Sequence, residues 1–108
     1  MKYACATALT TALLLTGSVF AADKKGDPAK GKEVFEQCGV CHSATTDQKK
    51  MGPSLKGVYK KPKLANGSPV TDASILAMVN KGKGSMPAFA DVLSSDEKTD
   101  LLAYLKTL

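Results

Sequence analysis

The residues best equipped for chemistry are Cys38, Cys41 and His42, set together as C-G-V-C-H in a 108-residue chain whose one further cysteine is Cys5 and whose histidine count is one. A cysteine pair at this spacing serves four kinds of chemistry. A thioredoxin-type redox pair follows a strand in an alternating strand and helix pattern, and the first half of the chain has no such strand. A structural zinc site takes four ligands, and two cysteines with one histidine fall short. A disulfide between residues three apart closes a tiny loop and stabilises little. The fourth chemistry uses all three side chains: in C-x-x-C-H the sulfurs add to the vinyl groups of a haem and the histidine coordinates its iron. One helical turn brings residues three apart to one side, so both sulfurs reach one edge of a macrocycle while the next residue presents its imidazole to the metal.

Iron held by histidine alone keeps a position open for a small ligand, whereas methionine closes that position and raises the reduction potential. Beyond the leader the chain offers Met51, Met78 and Met86. Met78 falls in an apolar helical stripe, where packing is its ordinary role. Met51 follows His42 closely, in a segment that must double back before Gly52-Pro53. Met86 lies far downstream in a glycine-rich loop and is stiffened by Pro87. Reach and loop chemistry favour Met86 over Met51 for the opposite face, without excluding Met51.

The elements that must position these groups are short. Residues 1–21 read as a secretory signal: Lys2 opens it, Ala8 to Leu15 is apolar, and Val19-Phe20-Ala21 suits a peptidase, with cleavage after Ala21. Its apolar core is too short, and too interrupted by Thr, Gly and Ser, for a membrane span. Cys5 precedes that core instead of ending it, which is not the lipoprotein arrangement. The domain is therefore residues 22–108, a size at which a cofactor often completes the core.

Within it, Asp27-Pro28 forms a helix cap with proline at the first position, and Gly31, Val34, Phe35 and Cys38 share a face, which predicts a helix from Pro28 to Gln37. Residues 42–70 are rich in Gly, Pro, Ser, Thr, Asn and Lys, with apolar points at Pro53, Leu55, Val58 and Tyr59, and read as a loop wrapped around something. Asp72 caps a second helix bearing Ile75, Leu76, Met78 and Val79 and ended by Gly82. Ser94 with Glu97 has the form of a capping box, opening a third helix whose buried face is Leu101, Leu102, Tyr104, Leu105 and Leu108. No strand or internal repeat is evident, so the fold class is all-α.

The formal net charge is +5, all of the basic side chains being lysine, and it falls by one when Lys2 leaves with the signal. Such an excess suits steering toward an acidic partner. The aromatic residues Phe35, Tyr59, Phe89 and Tyr104 are scattered and do not interleave with a basic stripe, which argues against nucleic acid.

The whole of residues 22–108 resembles a class I c-type cytochrome, of the small bacterial monohaem kind and the related c6 type. The resemblance rests on G-K-E-V-F-E-Q-C-G-V-C-H, then M-G-P-S-L-K-G-V-Y, then G-S-M-P-A-F, and finally L-L-A-Y-L-K, in that order. It implies three to five short helices and long loops around one covalently bound haem c. It further implies thioethers at Cys38 and Cys41, His42 as proximal and Met86 as distal iron ligand, and a hydrogen bond from the other nitrogen of His42 to the carbonyl of Pro53. Gly31 and Phe35 of the first helix would meet Leu101 and Tyr104 of the last. The sequence departs from mitochondrial relatives in having no tryptophan, and from the small polar loops common in the family at Lys49, Lys50 and Met51. A haem site early in the chain also separates it from four-helix, high-spin haem proteins, which attach haem near the C-terminus.

The function expected is that of a monomeric periplasmic one-electron carrier, not an enzyme, docking redox proteins through a rim of Lys49, Lys50, Lys81 and Lys83. Two other functions use the same haem: an electron-transfer subunit held in a larger redox complex, and a ligand-binding or peroxidase haem protein lacking the methionine ligand.

Overall fold

A computed structural model describes residues 25–108, so the expected leader at 1–21 lies outside the described residues. Three α-helices run in order along the chain: α1 at Pro28–Phe35, α2 at Asp72–Lys81 and α3 at Ser95–Leu105, with a 3₁₀ turn at Val58–Lys60 between the first two. Among the described residues there is no strand; two isolated bridges, Lys63 with Pro69 and Lys83 with Met86, pinch the long loops. No helix among them is long and apolar enough to cross a membrane.

Each helix starts where side-chain chemistry satisfies its free N–H groups. The Asp27 carboxylate accepts from the N–H groups of Ala29 and Lys30, and Pro28 follows in the position that needs no donor. At α3 the expected capping box forms: Ser94 Oγ accepts from Glu97 N–H at 3.1 Å and Glu97 Oε1 accepts from Ser94 N–H at 3.2 Å. The α2 cap is Thr71, one residue before the expected Asp72. Thr71 Oγ1 accepts from Ser74 N–H at 3.0 Å while Ser74 Oγ accepts from Thr71 N–H at 2.9 Å, a reciprocal pair that leaves Asp72 in the first turn. A carboxylate is favoured there by the helix dipole. Gly82, at φ 65°, ends α2 as expected.

The first helix stops at Phe35, two residues short of Gln37. Glu36 N–H bonds to the Glu33 carbonyl, three residues back, and Gln37 Nε2 donates to the Val34 carbonyl. These shorter bonds tighten the last turn.

α1 and α3 are the helix pair in extensive contact among the described residues. Their crossing is closer than a Cβ permits. A methyl at Gly31 would fall onto the Asp100 carbonyl, 2.6 Å from its carbon and 2.8 Å from Tyr104 Cβ. The glycine thus meets the Asp100 backbone and Tyr104, and Phe35 shares the core with Leu101. Phe35 packs tilted against Tyr104 with ring centroids 5.4 Å apart, and Asp27 N–H donates to buried Asp100 Oδ1 at 2.9 Å, closing the top of the pair. Leu101, Leu102 and Leu105 of α3, Ile75 and Val79 of α2, Val58, Phe35 and Leu93 form the buried core.

Candidate functional site

Immediately after α1 the chain takes two more turns without continuing the helix. Gly39 N–H bonds to the Phe35 carbonyl at 2.9 Å and His42 N–H to the Cys38 carbonyl at 2.9 Å, so Cys38 to His42 is a single α-type turn. Cys38, Cys41 and His42 consequently all border one cavity of about 680 Å³. Its walls include Phe35, Val58, Ile75, Val79, Leu101 and Leu105, taken from all three helices and the 3₁₀ turn. The space lies where an apolar core would otherwise close.

The segment after His42 doubles back, as its sequence requires. Gly52 N–H bonds to the Cys41 carbonyl and Leu55 N–H to the Ser43 carbonyl, each at 2.8 Å, which lays Gly52 and Pro53 alongside the histidine. His42 Nδ1 is 2.7 Å from the Pro53 carbonyl oxygen. A carbonyl only accepts, so Nδ1 is the protonated nitrogen and the imidazole lone pair is left on Nε2. Gly52 lies flat on the same ring: a Cβ there would come within 2.8 Å of Nδ1 and 2.9 Å of Nε2. This glycine was not among the expected site residues. Its signal was its place directly before the proline that accepts from the histidine.

Met86, Met51 and Met78 all border the cavity. Met86 is half-buried on a loop that is tighter than its glycines suggest. Lys83 N–H bonds to the Met86 carbonyl at 3.1 Å and Met86 N–H to the Lys83 carbonyl at 3.0 Å, a reciprocal pair closed through Gly84 at φ 59°. Gly82 backs this turn; a Cβ there would press on the Met86 carbonyl oxygen and lie 2.7 Å from the Pro87 carbonyl carbon. Phe89 N–H then bonds to the Val79 carbonyl, fastening the loop to α2. Met51 sits differently: 75% of it is exposed, and its Sδ lies 3.9 Å from Cys41 Sγ. Met78 projects from α2, half-buried.

Cys38 and Cys41 are free thiols. Burial, and then the neighbouring Cys41, push the Cys38 thiol above its ordinary pKa. An attacking thiol in a dithiol redox centre has the opposite tuning. Among the described residues no group of three or more His, Cys, Asp and Glu side chains is arranged to hold a metal ion. What the set does fit is a flat apolar macrocycle carrying iron: two thiols, an imidazole with its lone pair free, thioether sulfur and aliphatic walls around a single space, with Gly52 keeping the imidazole's flank clear.

Of the expected lysine rim, Lys83 borders the cavity and Lys50 Nζ donates to the Gly39 carbonyl at 3.0 Å, while Lys49 and Lys81 are exposed without lining it. Lys61 and Lys63, not anticipated, also border the cavity. The pinched loop around Lys63 and Pro69 brings them there, a placement with no local sequence signal.

The family model described as cytochrome c oxidase, cbb3-type, subunit III matches residues 26–105. Cytochrome c6 of Leptolyngbya boryana is 38% identical over 80 residues, covering 73% of this chain and 89% of that one. Among solved structures, cytochrome c6 from the diatom Phaeodactylum tricornutum superposes with a TM-score of 0.60 at 29% identity, covering 76% of this chain and 93% of that one. Cytochrome c2 from Rhodospirillum centenum gives the same TM-score at 26% identity, covering 76% and 98%.

Proposed function

From the premise that this chain belongs to the c-type cytochromes, as a small class I monohaem member of the c6 kind with one covalently attached haem c, we propose that it is an exported periplasmic electron carrier with histidine and methionine as axial ligands. Its relatives are electron carriers and not enzymes. When bound, the haem supplies a one-electron ferric/ferrous couple.

The chain's residues hold that group and tune it. Cys38 and Cys41 tether it through thioethers. His42 offers Nε2, and the Pro53 carbonyl, by holding the Nδ1 proton, fixes the ring and raises its basicity. Met86 would supply the second ligand to the iron, through its thioether sulfur. The observation that carries this choice is the reciprocal backbone pair between Lys83 and Met86, which fixes Met86 at the cavity while Met51 stays largely exposed beside Cys41. Two such protein ligands would let the iron change oxidation state with little ligand movement. Export follows from the leader read at residues 1–21, and a lysine-rich surface steers the monomer toward acidic partners, with an effect that fades as salt rises.

Carbon monoxide tests the ligand assignment. The reduced native protein is expected to bind it slowly or not at all, Met86→Ala to bind it readily with a lowered potential, and Met51→Ala to match the native spectrum. Rapid binding by the native protein would show a gas-binding or peroxidase haem, and the reverse pattern in the variants would transfer the role to Met51.

The matched model's description names an oxidase subunit, and this favours a second reading in which the same domain is held permanently in a larger redox complex. Native protein would then elute with its partners, where a free carrier elutes alone.

A further inference from the structure

We propose that Lys98 is a positioning residue for the Met86 ligand: its ammonium straps the loop that carries Met86 to α3 and so sets how readily the thioether leaves the iron. The inference rests on the reading above, in which Met86 supplies the second ligand. Lys98 stands apart from the other lysines. Among the described residues every other lysine is exposed, whereas Lys98 is half-buried. Lysine ordinarily keeps its charged end in water, so a lysine drawn inward needs a partner there. That partner is a backbone carbonyl: Lys98 Nζ donates to the Ala90 carbonyl oxygen at 3.0 Å.

Without that bond its place in the helix is unfavourable. α3 opens at Ser95 with Asp96 and Glu97 in its first turn, where the helix dipole favours carboxylates and disfavours a cation. Helical side chains lean toward the N-terminus. Lys98 accordingly reaches back past the Ser94 cap to the segment that joins Met86 to the helix.

That segment is fastened at several points. Phe89 N–H bonds to the Val79 carbonyl at 2.9 Å, which ties it to α2. The Phe89 carbonyl accepts from Val92 N–H and Leu93 N–H, each at 3.2 Å, turning the chain toward α3, and the Leu93 side chain is buried. Lys98 adds a tie to the body of α3, so the position of Met86 is referenced to both helices. An outside ligand gains the iron when Met86 has moved away, so its apparent affinity scales with the population in which the loop is open. A bond from a charged donor is stronger than a neutral one, although water competes for part of it at a half-buried site.

The test uses the haem-loaded ferric protein and imidazole at about pH 8, where this probe is mostly neutral and indifferent to a change in protein charge. Lys98→Met keeps the aliphatic stem and drops the ammonium, Lys98→Arg keeps a donor, and Lys32→Met makes the same charge change at an exposed position on α1. Lys98→Met is expected to bind imidazole roughly fivefold more tightly than the native protein, and its midpoint potential to fall as the thioether is held less well. Lys98→Arg and Lys32→Met are expected to stay near the native affinity. Hydrogen exchange separates positioning from general loosening: in Lys98→Met the Phe89 amide is expected to exchange faster while the Leu101 amide, in the core of α3, keeps its native rate. Native affinity in Lys98→Met, or equal acceleration at Phe89 and Leu101, would overturn the proposal. Met86→Ala tests the reading beneath it. This variant is expected to bind imidazole far more tightly than the others, with no further gain on adding Lys98→Met; such a gain would show Lys98 acting elsewhere and would overturn the strap alone. Native affinity in Met86→Ala would remove the ligand assignment, and the proposal with it.

Discussion

A methyl group at position 52 has no room, because the His42 ring occupies the space where it would sit. Gly52 does not take a left-handed backbone, so its requirement is one of space and not of conformation. Gly52→Ala is therefore expected to push the imidazole and loosen its bond to the Pro53 carbonyl. Overpacking of this kind costs about 1–3 kcal/mol. Losing the bond makes the imidazole a weaker base, which favours ferrous over ferric iron, so the midpoint potential should rise. A redox titration and a denaturant melt of the same sample check both effects. A stability loss with an unchanged potential would mean that the glycine serves packing alone.

At the scale of elements, the C-terminus of α3 is fastened to the N-terminus of α2 and to the 3₁₀ turn through one carboxylate. Asp72 accepts from Tyr59 OH at 2.6 Å and pairs with Lys106 Nζ at 3.2 Å, while that ammonium also lies 5.4 Å from the Tyr59 ring centroid. Burial, then the hydrogen bond to Asp72, then its charge push the Tyr59 phenol well above its ordinary value. The hydrogen bond from Tyr59, ahead of Lys106, holds Asp72 below the usual carboxylate range despite some opposing desolvation. A raised folded pKa for Tyr59 means stabilisation that is complete below the unfolded phenol value, about 10, and lost as pH climbs from there toward the folded value. A lowered one for Asp72 means stabilisation present above the unfolded carboxyl value, about 4, and lost as pH falls through the folded value. Tyr59→Phe is expected to cost about 1 kcal/mol at neutral pH, with the gap to the native protein narrowing above about pH 10. Urea midpoints at pH 7 and pH 11 measure this. A gap that stays constant across that range would show that the phenol proton is not what the clamp holds.

On the scale of the whole molecule, α1 and α3 cross in direct contact, whereas the cavity lies between that pair, α2 and the loops, all of which contribute to its walls. A domain of this size has little core to spare. Chain produced without haem attachment is therefore expected to keep part of its helical far-ultraviolet signal, lose most near-ultraviolet dichroism, and melt well below the haem-loaded protein. A haem-free chain with a sharp, native-like melt would show that the cavity needs no filling to hold the fold.

The sequence alone determined the chemistry and the element order, because both are written locally. C-G-V-C-H declares itself within five residues, Asp27-Pro28 and Ser94 with Glu97 mark helix starts through bonds spanning two or three positions, and Gly82 marks a stop. Thr71 was hidden behind Asp72 because both residues can cap, and only the backbone angles distinguish them. Tertiary structure decided what depends on residues far apart: that Gly52 lies on the imidazole, that Lys61 and Lys63 reach the cavity, and that Met86 is clamped while Met51 rests exposed on the Cys41 sulfur. Those facts arise from where long loops fold back, and loop closure is governed by contacts that no short window of sequence contains.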